Sequence, residues 1–183
     1  MLRITVPAKE HWDEERNEFV YTKACTLQLE HSLVSIAKWE SKWHRSFFDT
    51  KQEKTLEEAI DYIRCMTLTQ NVNPNIYNCL TPENHDAINA YINDPMTATW
   101  FWDRNKKTAG GKKQIITSEL VYYWMIALNI PFECQKWHIN RLLTLIRVCE
   151  EENAPKEKTS KRALMSRNAA LNAARRKRLG TKG

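Results

Sequence analysis

The chain has 183 residues, of which 42% are hydrophobic, with 28 Lys+Arg and 22 Asp+Glu. This allows one core-forming domain with an appendage and excludes a wholly disordered, collagen-like or linker-type chain. The formal charge of +6 is uneven: residues 1–150 hold 18 basic and 19 acidic side chains, and residues 151–183 hold 10 and 3. The basic character therefore belongs to an arm, which argues against nucleic-acid binding by the globular part.

In chain order, residues 2–6 (LRITV) alternate apolar and polar and predict a short strand. His11–Glu18 reads as a polar stretch. Phe19–Tyr21 and Cys25–Leu29 read as further strands of an N-terminal hairpin or meander. Leu29, Leu33, Ile36, Trp39 and Trp43 recur at helical spacing, which predicts a helix over about 29–44. Thr55 and Glu58 form a capping box ahead of the stripe Leu56, Ala59, Ile60, Ile63 and Met66, so a helix is predicted over 56–68. Residues 71–75 (NVNPN) break it, and Ile76–Leu80 adds a short helical turn.

Thr81-Pro82 starts a helix to 93 that buries Ile88, Tyr91 and Ile92, and Asp94-Pro95 ends it. Residues 96–102 (MTATWFW) are β-prone and 103–114 form a polar loop, which suggests a hairpin or extended excursion. Thr117 or Ser118 caps a helix whose segment Leu120–Leu128 is apolar on every side, the pattern of a helix buried within the fold. After Asn129-Ile130-Pro131, a second helix is predicted over 133–151 with Trp137, Leu142, Leu143, Ile146 and Cys149 inward. The two would form an antiparallel hairpin at the centre of the domain, with Leu143 and Ile146 opposite Tyr123 and Trp124. Residues 152–159 read as a linker. Residues 160–178 favour helix but offer only the thin stripe Leu164, Leu171 and Ala174, the mark of an arm frayed alone and ordered on a partner. The expected fold is mainly α with a small N-terminal β-hairpin or meander (α+β). It is a bundle of four to five helices over 1–152 followed by a basic, partly helical arm over 153–183.

Five scattered cysteines (25, 65, 79, 134 and 149), none in a CxxC pair, predict a reduced setting and no disulfide framework. No secretory leader or membrane span is expected from the opening residues or from the apolar runs. Cys134 and His138 stand four apart, on one face of the predicted helix, but no second ligand pair accompanies them, and no metal is expected. His11, His31, His44 and His85 stand alone. Gly110-Gly111-Lys112-Lys113 resembles a phosphate loop in composition only. Glu57, Glu58, Asp61 and Glu150–Glu152 are expected at helix ends or on solvated faces, with no acid–base pair. Catalytic residues, cofactors and enzyme activity are therefore not expected.

Seven tryptophans exceed what a small core hides, so some should meet a partner. The candidate partner-binding residues are Trp39, Trp43, Trp100, Trp102, Arg175, Arg176, Lys177 and Arg178, although Trp39 and Trp43, sharing one helix face, read more readily as core anchors. The run Arg175–Arg178 suits phosphates, an acidic or helical protein surface, or plain solvent.

Three stretches, ITVPAKEHWDEE…TLQLEHSLVSIAKWESKWH near the start, Ile116–Ile146 and Met165–Gly183, resemble the tail assembly chaperones of tailed bacteriophages. The resemblance covers most of the chain, the loop at 103–113 being its least characteristic part, and no site residue is carried over from it. It implies a non-enzymatic factor that coats the helical, apolar tape measure protein and keeps it soluble until tail tube protein polymerises around it. The expected partners are the tape measure protein, the tail tube protein and a further copy of the chain, with no membrane and no nucleic acid. The expected location is the host cytoplasm, with the protein absent from the virion. The alternatives are a structural virion component, such as a connector or tail completion protein, and a nucleic-acid binder acting through the basic arm.

Overall fold

A computed structural model describes residues 1–13, 17–49, 51, 53–101, 115–154 and 161–180. Strand β1 (Leu2–Val6) pairs antiparallel with β4 (Cys25–Leu29), Ile4 opposite Leu27 and Leu2 opposite Leu29. The alternation read from LRITV turns Ile4, Val6, Leu27 and Leu29 into the core. Between them, β2 (Lys9–Asp13) and β3 (Glu18–Thr22) form a separate two-stranded hairpin. The expected polar stretch from His11 thus begins inside a strand. Its KEHWD sequence carries no alternation of apolar and polar residues.

Helix α1 (Leu33–Trp43) starts four residues later than its periodicity suggests. Leu29 belongs to the sheet, and Ser32 and Ser35 close a capping box at the true start. The helix stops at His44, whose left-handed φ of 52° lets its N–H reach the Glu40 carbonyl at 2.8 Å. Helix α2 (Leu56–Met66) begins at the predicted box, with Thr55 N–H donating to Glu58 Oε2 at 2.7 Å. Its buried face differs from the apolar stripe: Leu56 is exposed, whereas Glu58, Asp61 and Tyr62 are buried with Ile63 and Met66.

A 3-10 turn (Pro74–Cys79) leads to α3 (Pro82–Asn93), capped by Thr81 and burying Ile88 and Tyr91. Residues 96–101 contain no strand, and the rest of the proposed excursion, 102–114, lies outside the described residues. Helix α4 (Ser118–Ala127) buries only Ser118, Val121 and Met125, so the expectation of burial on every side fails. It ends in a Schellman turn in which Asn129 is left-handed (φ 53°) and Ile130 N–H reaches the Met125 carbonyl at 2.8 Å.

The predicted helix over 133–151 is two elements: a 3-10 turn (Phe132–Lys136) and α5 (Ile139–Asn153). The break at Trp137–His138 is fixed by a β-bridge from His138 to Ser32 and by Ile139 N–H donating to the His31 carbonyl at 2.7 Å. Leu142 and Ile146 face inward, while Trp137, Leu143 and Cys149 are half-buried and Tyr123 is exposed. The centre of the fold is therefore not an α4–α5 hairpin. It is α1, against which α2, α4 and the 132–136 turn pack. Leu33, Ile36 and Trp39 of α1 are fully buried, as are Met66, Met125 and Leu142 from the elements around it.

The chain divides into two units, Met1–Glu150 and Glu151–Gly183. The second carries α6 (Lys161–Leu179), a 19-residue helix. The fold is mainly α with a small antiparallel β element, as the sequence predicts. Among the described residues no helix is long and apolar enough to cross a membrane.

Candidate functional site

The α1–α2 seam decides the roles of the first two tryptophans. Trp39 is 0% exposed, and its Nε1 donates to the Glu58 carbonyl at 2.9 Å. It is a core anchor, which overturns its candidacy as a partner-binding residue. Trp43 is half-buried, and its Nε1 donates to Asp61 Oδ2 at 3.0 Å. Lys42 Nζ meets the other Asp61 oxygen at 2.5 Å, and Arg45 Nη1 meets Glu58 Oε1 at 2.9 Å. Glu58 and Asp61 are thus buried and paired, not solvated as expected. The hydrogen bond from the Thr55 backbone, aided by Arg45, holds the Glu58 carboxyl below the usual range. Burial pushes Asp61 up, but hydrogen bonds from Lys42 and Trp43 outweigh it and leave that carboxyl lowered too.

Glu40 ties this seam to α4. One of its oxygens accepts Phe47 N–H at 2.8 Å and the other accepts Ser118 N–H at 2.7 Å. The carboxylate caps the start of α4, where the helix dipole favours a negative charge. It is buried, as an acceptor with both oxygens satisfied can be.

A polar cluster lies where β4, α2, α3 and the start of α5 meet. His31 Nδ1 and the Tyr62 hydroxyl share a hydrogen bond, and the His31 ring stands edge-on to His138 at 5.0 Å between centroids. His138 Nδ1 accepts from Asn140 N–H at 3.3 Å, so the proton sits on Nε2, which donates to the Tyr91 carbonyl at 2.9 Å. The Tyr91 hydroxyl donates to Glu30, which also meets the Met1 amine at 3.0 Å. Burial, reinforced by His138 and Lys54, pushes His31 down to about 3, so it is neutral at pH 7. Burial likewise pushes the Tyr62 phenol up. These groups hold one another and none is poised as a base.

Cys134 and His138 are both buried but do not share a helix face, since the 3-10 turn ends between them. Among the described residues no group of three or more His, Cys, Asp and Glu is placed to hold a metal ion. A pocket of about 260 Å³ is lined by Met1, Glu30, Tyr91, Met96, Trp137 and Arg141. Its carboxylate is already taken by the Met1 amine and the Tyr91 hydroxyl, and the Arg141 guanidinium stacks 4.3 Å from the Trp137 ring centre.

What the body does present is apolar surface. Trp100 is 87% exposed, in keeping with its candidacy, and Trp102 lies outside the described residues. On the hairpin, Trp12 and Phe19 form an edge-to-face pair across the strands at 4.9 Å, with Tyr21 exposed on the same face. On α4, Tyr123 (63% exposed) and Ile126 (60%) point outward one turn apart, with Phe132 exposed beyond the turn. The sequence reading missed both patches. The hairpin's signal was the spacing of Phe19 and Tyr21, two apart. The helix's signal was that Leu120–Leu128 has more apolar positions than a buried stripe uses. In the second unit, Arg175 and Arg176 are exposed on α6, and Lys177 and Arg178 occupy the next two positions of the same helix.

Compared with family models, with curated proteins and with solved structures, the chain has no match.

Proposed function

We propose that this protein is a tail assembly chaperone of a tailed bacteriophage, binding the tape measure protein and keeping it soluble while the tail is built. The observation that carries the reading is the outer face of α4. A helix capped at both ends and seated on α1 by Val121 and Met125 leaves Tyr123 and Ile126 in solvent. Surface of that kind suits the apolar stripe of a partner helix. The aromatic face of the β2–β3 hairpin and Trp100 add anchors of the type that dominate interfaces.

The patches are small and separate, so their contacts fit a reversible complex better than an obligate one. That suits a protein which tube subunits must later displace. The resemblance of the chain's wording to such chaperones supports the same reading. Its place of action is then the host cytoplasm, with release before the virion is complete.

The test is co-purification of tagged full-length chain with the tape measure protein from the same phage. The two should elute together, and Ile126→Glu should cut the recovered tape measure protein at least tenfold. Equal recovery with Ile126→Glu and with Tyr123→Ser would remove α4 from the account. Finding the protein at stoichiometric levels in purified virions would favour a structural component instead.

A further inference from the structure

The geometry points to α6 as a binding element for duplex nucleic acid, held through the phosphates. This inference is independent of the chaperone reading and reverses, for the arm alone, the expectation that nucleic acid is not a partner. Helix α6 has seven basic residues and no acidic one across Lys161–Leu179. The placement of those residues selects among anionic partners. At about 100° per residue, positions 175–178 alone sweep some 300° of the circumference, and 161, 162 and 167 fall among them. The basic positions therefore fall all around the helical wheel.

A helix lying on an anionic membrane needs an apolar face opposite its basic one. A helix docking in a protein groove needs apolar anchors at i, i+3, i+4 and i+7. α6 has neither: Leu164 and Leu171 stand seven apart, but Arg167 and Asn168 occupy the i+3 and i+4 positions between them, and Met165, Leu171 and Leu179 are exposed. A duplex groove differs from both surfaces because phosphates line it on two sides. A helix of 19 residues is about 28 Å long, and the B-form major groove, roughly 12 Å wide, admits one. Five alanines (163, 169, 170, 173 and 174) favour the helix and keep its girth small between the charged positions. The cluster Arg175–Arg178 sits in the last turns, where the helix dipole favours cations, and its mutual repulsion falls when a polyanion is bound. The near-neutral first 150 residues supply no competing field of either sign.

The test is fluorescence anisotropy of the full chain with a 24-base-pair DNA duplex, the same sequence as RNA duplex, poly-glutamate, and vesicles containing anionic lipid. Binding to a duplex should fall roughly 150- to 6,000-fold between 50 and 200 mM salt, as about four to seven neutralised phosphates require. Replacing Arg175, Arg176, Lys177 and Arg178 together by Ala, which preserves helix propensity, should reduce the slope of log K against log salt by about 3–4. The DNA duplex should bind more tightly than the RNA duplex, whose deep, narrow major groove does not admit a helix, and a preference for RNA would overturn the proposal. No duplex binding at 50 mM salt, an unchanged slope in the fourfold variant, or equal affinity for poly-glutamate or vesicles would overturn it. The fourfold variant should still co-purify with the tape measure protein, so this proposal and the chaperone reading fail separately.

Discussion

Trp39 and Trp100 show how differently one residue type is used in this chain. Trp39 is packed against Phe47 at 5.4 Å and hydrogen-bonded to α2 through its indole N–H. Trp39→Ala should cost about 3–5 kcal/mol, since it leaves a large cavity in the core. Trp100→Ala should change the urea midpoint by less than the equivalent of about 0.5 kcal/mol. The same contrast separates neighbours on α5: Leu142, fully buried, should behave as a core leucine, and half-buried Leu143 should lose less.

His31 gives the residue scale a pH signature. Its folded value, about 3, lies below its ordinary 6.5, so folding favours the neutral ring. The stabilisation is complete above pH 6.5 and is lost as pH falls toward 3, at about 1.4 kcal/mol per pH unit. Glu58 and Asp61, both lowered, add acid sensitivity only below about pH 4.5. Stability measured between pH 6.5 and 4.5 should therefore decline through His31, and His31→Phe should flatten the decline. A flat profile in the wild-type chain would mean that the ring is charged when folded.

At the scale of elements, α2 was the most legible part of the fold, because a capping box is local chemistry. Thr55→Ala should cost about 1 kcal/mol, seen as a lowered thermal midpoint. Strands β1 and β4 were legible for a similar reason, since burial of one face imposes alternation on both. Of the face α2 buries, Ile63 and Met66 were legible, and Glu58, Asp61 and Tyr62 were not. Glu58 and Asp61 turn inward because Arg45 and Lys42, far off in sequence, neutralise them, and spacing within one helix carries no trace of such a partner.

The error on α4 has a different origin. An apolar surface left in solvent reads the same in the sequence as one packed into the core. Ile126→Ser should accordingly leave stability within about 0.5 kcal/mol of wild type, where a core isoleucine would lose several. The split of 133–151 into a turn and a helix was hidden too, because His138 leaves the helical path to pair with Ser32, more than a hundred residues earlier. Of the exposed positions, the sequence had singled out Trp100, Arg175 and Arg176. It missed the faces of α4 and of the β2–β3 hairpin.

At the scale of the whole molecule, a near-neutral body with a closed core and open aromatic patches is joined to a strongly basic helix. The central claim concerns the body: its apolar patches exist to cover those of a tape measure protein. The most direct measurement is the soluble fraction of that protein when it is co-expressed with the full chain or with a Tyr123→Ser, Ile126→Ser variant. Wild-type chain should hold most of the tape measure protein in the supernatant, and the folded double variant should leave most of it in the pellet. Tape measure protein that stays insoluble with the wild-type chain, or equally soluble with the variant, would contradict the account.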